Sequence, residues 1–227
     1  MFKLLMLEIK MIVLVGANKG GCGKSTTVIN LAVAFAKDGK DVLIIDADRQ
    51  STASHWSSDR EENKIHPFIQ VLQKYDNLQP TLKELKNKYK VILVDVAGRN
   101  SREMLSTMLV ADLMICPLQC SQPDLDTLNE LKEQVTRAGD FNPDLKVYIY
   151  QTMASTNTKV KDNERQEFLN YVNQFVEFKA CQSTNYFRKV YKDTISEGKA
   201  VLESNNDDAN TEINALYLEV KSVVGEN

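Results

Sequence analysis

Short apolar runs without polar interruption alternate along this chain with segments whose apolar residues recur at helical spacing. Uninterrupted apolar runs are typical of parallel strands buried on both faces, and a 3.6-residue spacing is typical of helices. The predicted strands are Met11–Ala17, Val42–Ile45, Phe68–Leu72, Val91–Val94, Leu113–Pro117 and Val147–Tyr150. The predicted helices are Lys24–Lys37, Leu78–Tyr89, Leu125–Val135, Arg165–Val176 and Thr211–Val224. This alternation predicts an α/β protein with a mostly parallel, twisted sheet between two layers of helices.

Chemically distinctive residues follow three of the predicted strands. A glycine-rich loop follows the first strand, Asp46 follows the second and Asp95 follows the fourth. In parallel sheets, ligands bind beyond the carboxyl ends of the strands. We therefore expect these three features to meet at one edge of the sheet.

The composition is that of an ordinary globular protein of 227 residues, with 43% hydrophobic and 26% charged residues. The formal net charge of −3 is close to neutral, so any contact with nucleic acid requires a local basic patch. No run approaches the roughly 20 apolar residues that a membrane span needs, so no membrane partner is expected. The spacing of Cys22, Cys116, Cys120 and Cys181 fits no zinc-binding pattern, which favours reduced thiols.

We expect residues 1–227 to form a single domain, because a chain of this length can bury a sufficient core alone. The apolar run within residues 1–10 is broken by Lys3 and Glu8, and no small-residue cleavage site follows it. It therefore makes a poor signal peptide. We expect these ten residues to be a short N-terminal arm or the product of a start assigned upstream of Met11.

The strongest chemical signal is the string Asn-Lys-Gly-Gly-Cys-Gly-Lys-Ser-Thr at residues 18–26, between the first predicted strand and the first predicted helix. A phosphate-binding loop requires this context, although Asn18 stands where the usual pattern has glycine. Glycines let backbone N–H groups converge, and the helix N-terminus adds positive potential. Lys24 would contact the β- and γ-phosphates, and the Ser25 hydroxyl would ligate Mg²⁺. The predicted nucleotide-binding residues of the loop are Lys19, Gly20, Gly21, Cys22, Gly23, Lys24, Ser25 and Thr26.

Lys19 is a second lysine in this loop, and an ordinary phosphate loop does not need one. The string from Lys19 to Ser25 resembles the deviant Walker A box of the ParA/MinD superfamily of dimerising ATPases. The resemblance covers nearly the whole chain from Met11, and it is greatest to the small plasmid-partition ATPases of the ParF type, which lack a helix-turn-helix extension. It implies a P-loop NTPase-like fold of the SIMIBI type, with ATP and Mg²⁺ as ligands. It also implies an ATP-dependent homodimer in which Lys19 reaches the other subunit's phosphates.

The segment after the second predicted strand extends the resemblance. Residues 42–50 are similar to the family's strand and first switch, which implies that Asp46 lies near Mg²⁺ and that Asp48 orients the attacking water. Arg49 stands where the family usually has proline, and this exchange loosens the turn. The implied catalytic residues are Lys19, Lys24 and Asp48.

Residues 91–95 are similar to the family's Walker B strand, which implies that Asp95 holds Mg²⁺ through a water. A carboxylate behind four apolar residues is costly without a charged or hydrogen-bonded partner. Residues 97–100 would form the second switch, where Gly98 serves either a close approach to the γ-phosphate or a plain turn. The implied metal-binding residues are Ser25, Asp46 and Asp95.

The adenine contacts are carried over from the family to the end of the last predicted strand, around Gln151. Thr152 and Met153 are the implied nucleotide-binding residues there. The asparagine that MinD-like members use at this place is absent from the sequence.

A basic stretch lies at residues 178–199, where five cations stand against two acids. Residues 196–201 resemble the family's S-F-G-K-P-[IV] stretch, and Arg188 falls where many members carry an arginine of a nonspecific DNA surface. The predicted DNA-binding residues are Arg188, Lys189, Lys192 and Lys199. The charge pattern alone fits a solvated helix face equally well. Residues 203–219 have a net charge of −5 and are expected to face away from DNA.

The resemblance implies a cytoplasmic, nucleoid-associated ATPase that segregates a plasmid or chromosome, with hydrolysis stimulated by a centromere-binding adaptor protein of the ParB type. MinD-like positioning of a protein or membrane cargo is the alternative, but residues 212–227 contain Lys221 as their only cation, few for a membrane-binding helix. The cysteine positions disfavour an iron–sulfur electron donor, and Lys19 disfavours a ligase of the dethiobiotin-synthetase kind. A scaffold that binds ATP without hydrolysing it stays open.

Overall fold

The structure, a computed structural model, describes residues 10–98 and 101–225. Nearly all of the predicted N-terminal arm, and Arg99 and Asn100 of the predicted second switch, lie outside the described residues. The strands are β1 (Met11–Val15), β2 (Val42–Ala47), β3 (Gln70–Gln73), β4 (Val91–Val96), β5 (Leu113–Leu118), β6 (Lys146–Ala154) and β7 (Lys179–Tyr186). The helices are α1 (Lys24–Lys37), α2 (Thr52–Glu62), α3 (Gln79–Leu85), α4 (Arg102–Met108), α5 (Gln122–Leu125), α6 (Thr127–Gly139), α7 (Lys161–Val172), α8 (Val190–Ser196) and α9 (Asp207–Val224), and a 3₁₀ turn covers Val201–Glu203.

All the strand pairs are parallel, in the order β3-β2-β4-β1-β5-β6-β7. The predicted fold class is therefore confirmed. Successive residues of the central strands face opposite layers: Ile12 and Leu14 pack towards α3, α4, α6 and α7, while Val13 and Val15 pack towards α1, α2 and α9. Both faces of the sheet are buried, which explains why its central strands are continuously apolar.

The sheet order brings the three predicted chemical features together. β4 lies between β2 and β1, and Asp95 is in register with Asp46 on one side and with Val15 on the other. The loop that follows Val15 therefore starts beside both carboxylates. The expectation that these features meet at one edge of the sheet is confirmed.

The apolar pattern does not predict α2, α4 or β7. α2 buries only Ala53, Trp56 and Arg60, so it has no apolar stripe for the pattern to detect. β7 turns Ser183 and Asn185 inward, where Glu219 and Glu212 accept their hydrogen bonds. Polar residues that are satisfied by buried partners hide a strand from any method based on hydropathy.

The edges of the other elements move by a few residues. The predicted strand at residues 68–72 is the edge strand β3, which begins at Gln70 and is mostly exposed. The predicted helix at residues 165–176 begins earlier and ends at Val172. Among the described helices, none combines the length and the hydropathy that crossing a membrane requires.

Candidate nucleotide-binding site

The loop between β1 and α1 is built on glycines in the left-handed region. Gly21 has a φ of 73° and Gly23, the residue before α1, has a φ of 92°. Side chains with a Cβ adopt such angles at a cost, whereas glycine does not. The loop delivers the free N–H groups of the first turn of α1 to one end of a 14-residue helix, an arrangement that favours an anion.

The two lysines of the loop have different environments. Lys24 is buried, and its Nζ donates to the Lys19 carbonyl at 2.8 Å, so its ammonium is turned into the loop. The Lys19 side chain is 39% exposed, and its Nζ lies 3.3 Å from Oδ2 of Asp124. Asp124 is buried at the start of α5 and also accepts from the Ser121 hydroxyl. Sequence reasoning missed Asp124, because only the fold brings β5 and its following turn beside the loop.

The two strand-end carboxylates differ in their hydrogen bonds. Oδ2 of Asp46 accepts from the backbone N–H of Ser54 at 2.8 Å and from its hydroxyl at 2.6 Å, which ties β2 to α2. Asp95 is fully buried, and among residues 10–98 and 101–225 no hydrogen bond reaches either of its carboxylate oxygens. A buried carboxylate without partners is expensive, and a divalent cation with its water ligands would offset that cost. The residues present therefore fit Mg²⁺.

The environment of Asp95 shifts its protonation. Burial raises the pKa of Asp95 to about 7, the nearby Ser25 hydroxyl and the Lys24 ammonium oppose this rise, and the negative charges of Asp46 and Asp48 add to it. The carboxyl group is thus partly protonated near neutral pH when no cation is bound.

This shift predicts how the stability of the nucleotide-free protein depends on pH. The unfolded chain releases the Asp95 proton near pH 4, whereas the folded protein keeps it up to about pH 7. Between these values the folded state binds more protons, so Asp95 makes the free energy of unfolding fall as pH rises, by about 1.4 kcal/mol per pH unit. Asp95→Asn removes this titration. Urea unfolding at pH 5 and pH 7 should therefore show a smaller loss of stability in Asp95→Asn than in the parent.

The control is Asp144→Asn, which replaces an exposed carboxylate in the loop before β6. It should lose stability between the two pH values as the parent does. An Asp95→Asn variant whose free energy of unfolding fell between pH 5 and pH 7 as much as that of this control would contradict the raised pKa of Asp95.

The first switch segment follows β2 as a turn. The Asp48 side chain accepts from the Gln50 N–H at 2.9 Å, and its carbonyl accepts from the Ser51 N–H at 2.9 Å. The guanidinium of Arg49 lies 5.0 Å from the centre of the Tyr75 ring. Stacking on Tyr75 thus restrains Arg49, although the residue lacks the fixed φ of the family's usual proline.

Gly98 packs directly against the phosphate loop. A Cβ at this position would lie 2.8 Å from the Lys19 carbonyl oxygen and 3.1 Å from the Gly20 nitrogen. Gly98 is therefore required for a close backbone contact with the phosphate loop, and its approach to the γ-phosphate stays a prediction.

We expect Gly98→Ala to lower ATP hydrolysis about tenfold or more, because the methyl group must push the start of the second switch away from the loop and small displacements of catalytic groups are costly. Steady-state phosphate release measures this effect. Gly139→Ala is the matched control, since a Cβ there meets no atom within 4 Å. Equal rates in the two variants would contradict a functional contact between Gly98 and the loop.

A small pocket of about 90 Å³ opens beside Gly23 and is partly lined by the residues predicted to hold adenine. The Thr152 hydroxyl donates to the Cys22 carbonyl at 2.9 Å, which fixes the end of β6 against the loop. Met153 has a φ of 52°, and its N–H points to Oδ1 of Asn185 at 3.4 Å. Sequence reasoning missed Asn185, because it did not predict β7. An asparagine therefore does reach this pocket, but from a different strand.

The predicted DNA-binding residues lie on α8 and its flanks, and Arg188 differs from the lysines. The Arg188 guanidinium contacts Glu212 at 2.7 Å and Asp208 at 3.0 Å. These two carboxylates from α9 engage the cation and make it a poor candidate for phosphate contact. The prediction of Arg188 as a DNA contact did not include these two partners, because nothing local in the sequence pairs α9 with Arg188.

The lysines are more available. The Lys189 side chain is 89% exposed, and its ammonium lies 3.4 Å from the carboxylate of Asp193. The Lys192 ammonium lies 5.9 Å from the centre of the exposed Phe187 ring. Lys199 pairs with Glu197 at 2.8 Å on the surface. Exposed pairs of this kind are weak and exchange readily for other anions.

The chain matches one family model and is similar to partition and cell division proteins. The family model for the CobQ/CobB/MinD/ParA nucleotide-binding domain matches residues 13–176. The chromosome partitioning protein ParA of Myxococcus xanthus is 26% identical over 200 residues, covering 70% of this chain and 71% of that protein. A plasmid partition protein of Borrelia burgdorferi superposes with a TM-score of 0.68 at 18% identity, over 94% of this chain and 99% of its own. The cell division ATPase MinD of Pyrococcus furiosus gives a TM-score of 0.74 at 16% identity, over 95% and 100%.

Proposed function

The chain belongs to the CobQ/CobB/MinD/ParA family of nucleotide-binding domains, and on that premise we propose that it is a DNA-segregating ATPase of the ParA type. In this proposal ATP closes a homodimer, the dimer binds DNA nonspecifically, and hydrolysis releases it. The described residues share one continuous sheet, which supports a single ATPase domain.

The pair of lysines in one phosphate loop carries this proposal. Lys24 already lies inside the loop, where its ammonium can move from the Lys19 carbonyl to a nucleotide phosphate. The Lys19 side chain is 39% exposed and pairs with Asp124 at 3.3 Å, so it can leave Asp124 for a phosphate that arrives on a second subunit. A cation delivered by the other subunit stabilises the transition-state charge and couples hydrolysis to dimerisation.

The remaining catalytic roles fall to the strand ends. Ser25, Asp95 and, at longer range, Asp46 would hold Mg²⁺, which supplies charge neutralisation at the β- and γ-phosphates. The oxygens of Asp95, which accept no hydrogen bond from the part of the chain that the structure describes, suit such a role. Asp48, half-buried in the first switch, would orient the attacking water. Thr152, Met153 and Asn185 would contact the adenine.

Lys189, Lys192 and Lys199 are the proposed DNA contacts, with Arg188 supporting the surface from within. Phosphate contacts of this kind need charge and reach rather than base readout. A ParB-type adaptor protein is the proposed stimulator of hydrolysis, and the nucleoid is the proposed place of action. Positioning of a protein cargo, as the likeness to a cell division ATPase allows, is the second candidate.

Binding to nonspecific duplex DNA tests the proposal. We expect salt-sensitive binding with ATP–Mg²⁺ and little binding with ADP or no nucleotide. The double variant Lys189→Ala, Lys192→Ala should bind about tenfold more weakly and with a smaller salt slope, because it lacks two phosphate contacts. A double variant on the exposed face at the end of α3, Lys83→Ala with Lys88→Ala, should bind as the parent does. Intact hydrolysis without any DNA binding would contradict DNA segregation and favour a protein cargo.

A further inference from the structure

Residues Gly198–Glu203, which follow α8 and include Lys199, are held against α2 by buried hydrogen bonds; we name them the clasp segment. Arg60 of α2 is buried, and its guanidinium donates to the Gly198 carbonyl at 3.0 Å and to both Glu203 oxygens at 2.8 and 2.7 Å. Its Nε donates to the Pro67 carbonyl at 2.9 Å. The indole N–H of Trp56, one turn earlier in α2, donates to the Lys199 carbonyl at 2.9 Å.

Helix α2 lies so close to Gly198, the first residue of the clasp segment, that a side chain has no space there. A Cβ on Gly198 would lie 2.4 Å from the backbone nitrogen of Arg60, and Gly198 has a φ of 70°. Glu203 also accepts from the Ala200 N–H at 2.9 Å. Burial tends to raise the pKa of Glu203, but the hydrogen bonds from Arg60 and Ala200 outweigh this effect and lower it. Glu203 is therefore ionised, and its carboxylate links Arg60 of α2 to Ala200 within the clasp segment.

A second anchor joins the clasp segment to α1. Asn30 is fully buried on α1, and its Oδ1 accepts from the Val201 N–H at 2.8 Å. The Nδ2 of the same amide donates to the Thr26 carbonyl at 2.8 Å. Thr26 belongs to the first turn of α1, at the phosphate loop. The clasp segment is thus bonded to both helices that begin at the nucleotide site.

The opposite end of α2 is hydrogen-bonded to Asp46, one of the two strand-end carboxylates. Ser54 donates twice to Asp46, and six residues of helix, about 9 Å, separate Ser54 from Arg60. Any shift of Asp46 when a nucleotide and its cation bind must move α2 or break these bonds. Because the buried Arg60 cannot leave its carboxylate and carbonyl partners cheaply, α2 and the clasp segment should move as one unit.

We propose that Arg60 and Glu203 form a positioning pair that transmits the nucleotide state from Asp46, through α2, to the clasp segment and its surface residue Lys199. The use of Lys199 for DNA rests on the proposed function, but the movement itself requires only nucleotide binding. The coupling is reciprocal, so an anion on the lysines of α8 and the clasp segment also favours the nucleotide-bound arrangement of α2.

Trp56 is the only tryptophan of the chain, and it reports on this pair directly. Its indole is buried, bonded to the clasp segment, and 5.2 Å from the Arg60 guanidinium. We expect the emission of the parent protein, without DNA, to change when a non-hydrolysable ATP analogue and Mg²⁺ saturate the site. Calorimetry of the same samples measures nucleotide affinity independently. If the nucleotide binds and the emission stays constant, the transmission proposal is overturned while the proposed function stands. If no nucleotide binds, both fail.

The variant Glu203→Gln keeps the shape of the side chain and removes the charge that pairs with Arg60. We expect its ATP affinity to remain that of the parent, its Trp56 response to be lost, and its ATP-dependent DNA affinity to fall about tenfold, a coupling of ordinary size. Glu177→Gln is the matched control, because Glu177 is a largely buried partner of Lys132 at 3.4 Å on another part of the fold. A Glu203→Gln variant whose Trp56 response equals that of this control would also overturn the proposal.

Discussion

Lys24→Ala is expected to weaken ATP binding roughly 100-fold, the largest loss of affinity among the single changes considered for this chain. Lys24 is buried in the phosphate loop, where its ammonium donates to the Lys19 carbonyl and lies near Asp95. A triphosphate that enters the loop would lose its central counterion and two or three charge-assisted hydrogen bonds. Calorimetric titration with ATP–Mg²⁺ measures the change.

The control for this prediction is Lys83→Ala on the exposed face of α3, which removes the same charge far from the loop. Its ATP affinity should equal that of the parent. The folded state of Lys24→Ala can be verified by its urea unfolding, which should stay cooperative. An unchanged ATP affinity in a folded Lys24→Ala variant would refute the assignment of the phosphate site.

The central part of the fold and of the site could be predicted from the sequence because each element there is specified locally. β1, β2 and β4 are buried on both faces, so their apolar runs leave no ambiguity. The loop before α1 needs glycines at left-handed positions, and these are visible as residue types. A carboxylate at the end of such a strand stands out against the apolar run that precedes it.

The parts that could not be predicted depend on contacts distant in sequence. Asp124 becomes important only because the turn after β5 lies beside Lys19, 105 residues earlier. Asn185 lies on β7, whose inward residues are polar and satisfied by α9. Neither position has a local signal, because a single acid or amide in a polar segment is usually exposed.

Charge patterning was the least informative signal. The stretch at residues 203–219 has a net charge of −5, which suggests an acidic surface. In the structure, Glu203 pairs with Arg60, Glu212 with Arg188, and Glu219 accepts from the backbone of β7. Three of its five acids are therefore internal partners. Counting charges along a sequence treats such residues as solvated and misjudges both the acidic and the basic faces.

Lys19→Ala separates the two lysines of the loop by function. We expect ATP affinity to stay close to that of the parent, because Lys24 and the backbone N–H groups still hold the phosphates. ATP hydrolysis should fall about 100-fold or more, the loss typical of removing one transition-state donor, and the ATP-dependent dimer should disappear. Phosphate release and sedimentation with a non-hydrolysable analogue measure the two effects.

The structure provides two comparisons for this variant. Lys132→Ala removes a lysine of similar exposure, 48% against 39%, from another ion pair, and it should change neither property. Asp124→Asn frees Lys19 from its carboxylate partner within the subunit, so it should keep hydrolysis and favour the dimer. If Lys19 acts on the other subunit's nucleotide, the two changes must have opposite effects on dimerisation. A Lys19→Ala variant that stays monomeric and hydrolyses ATP like the parent would exclude that role.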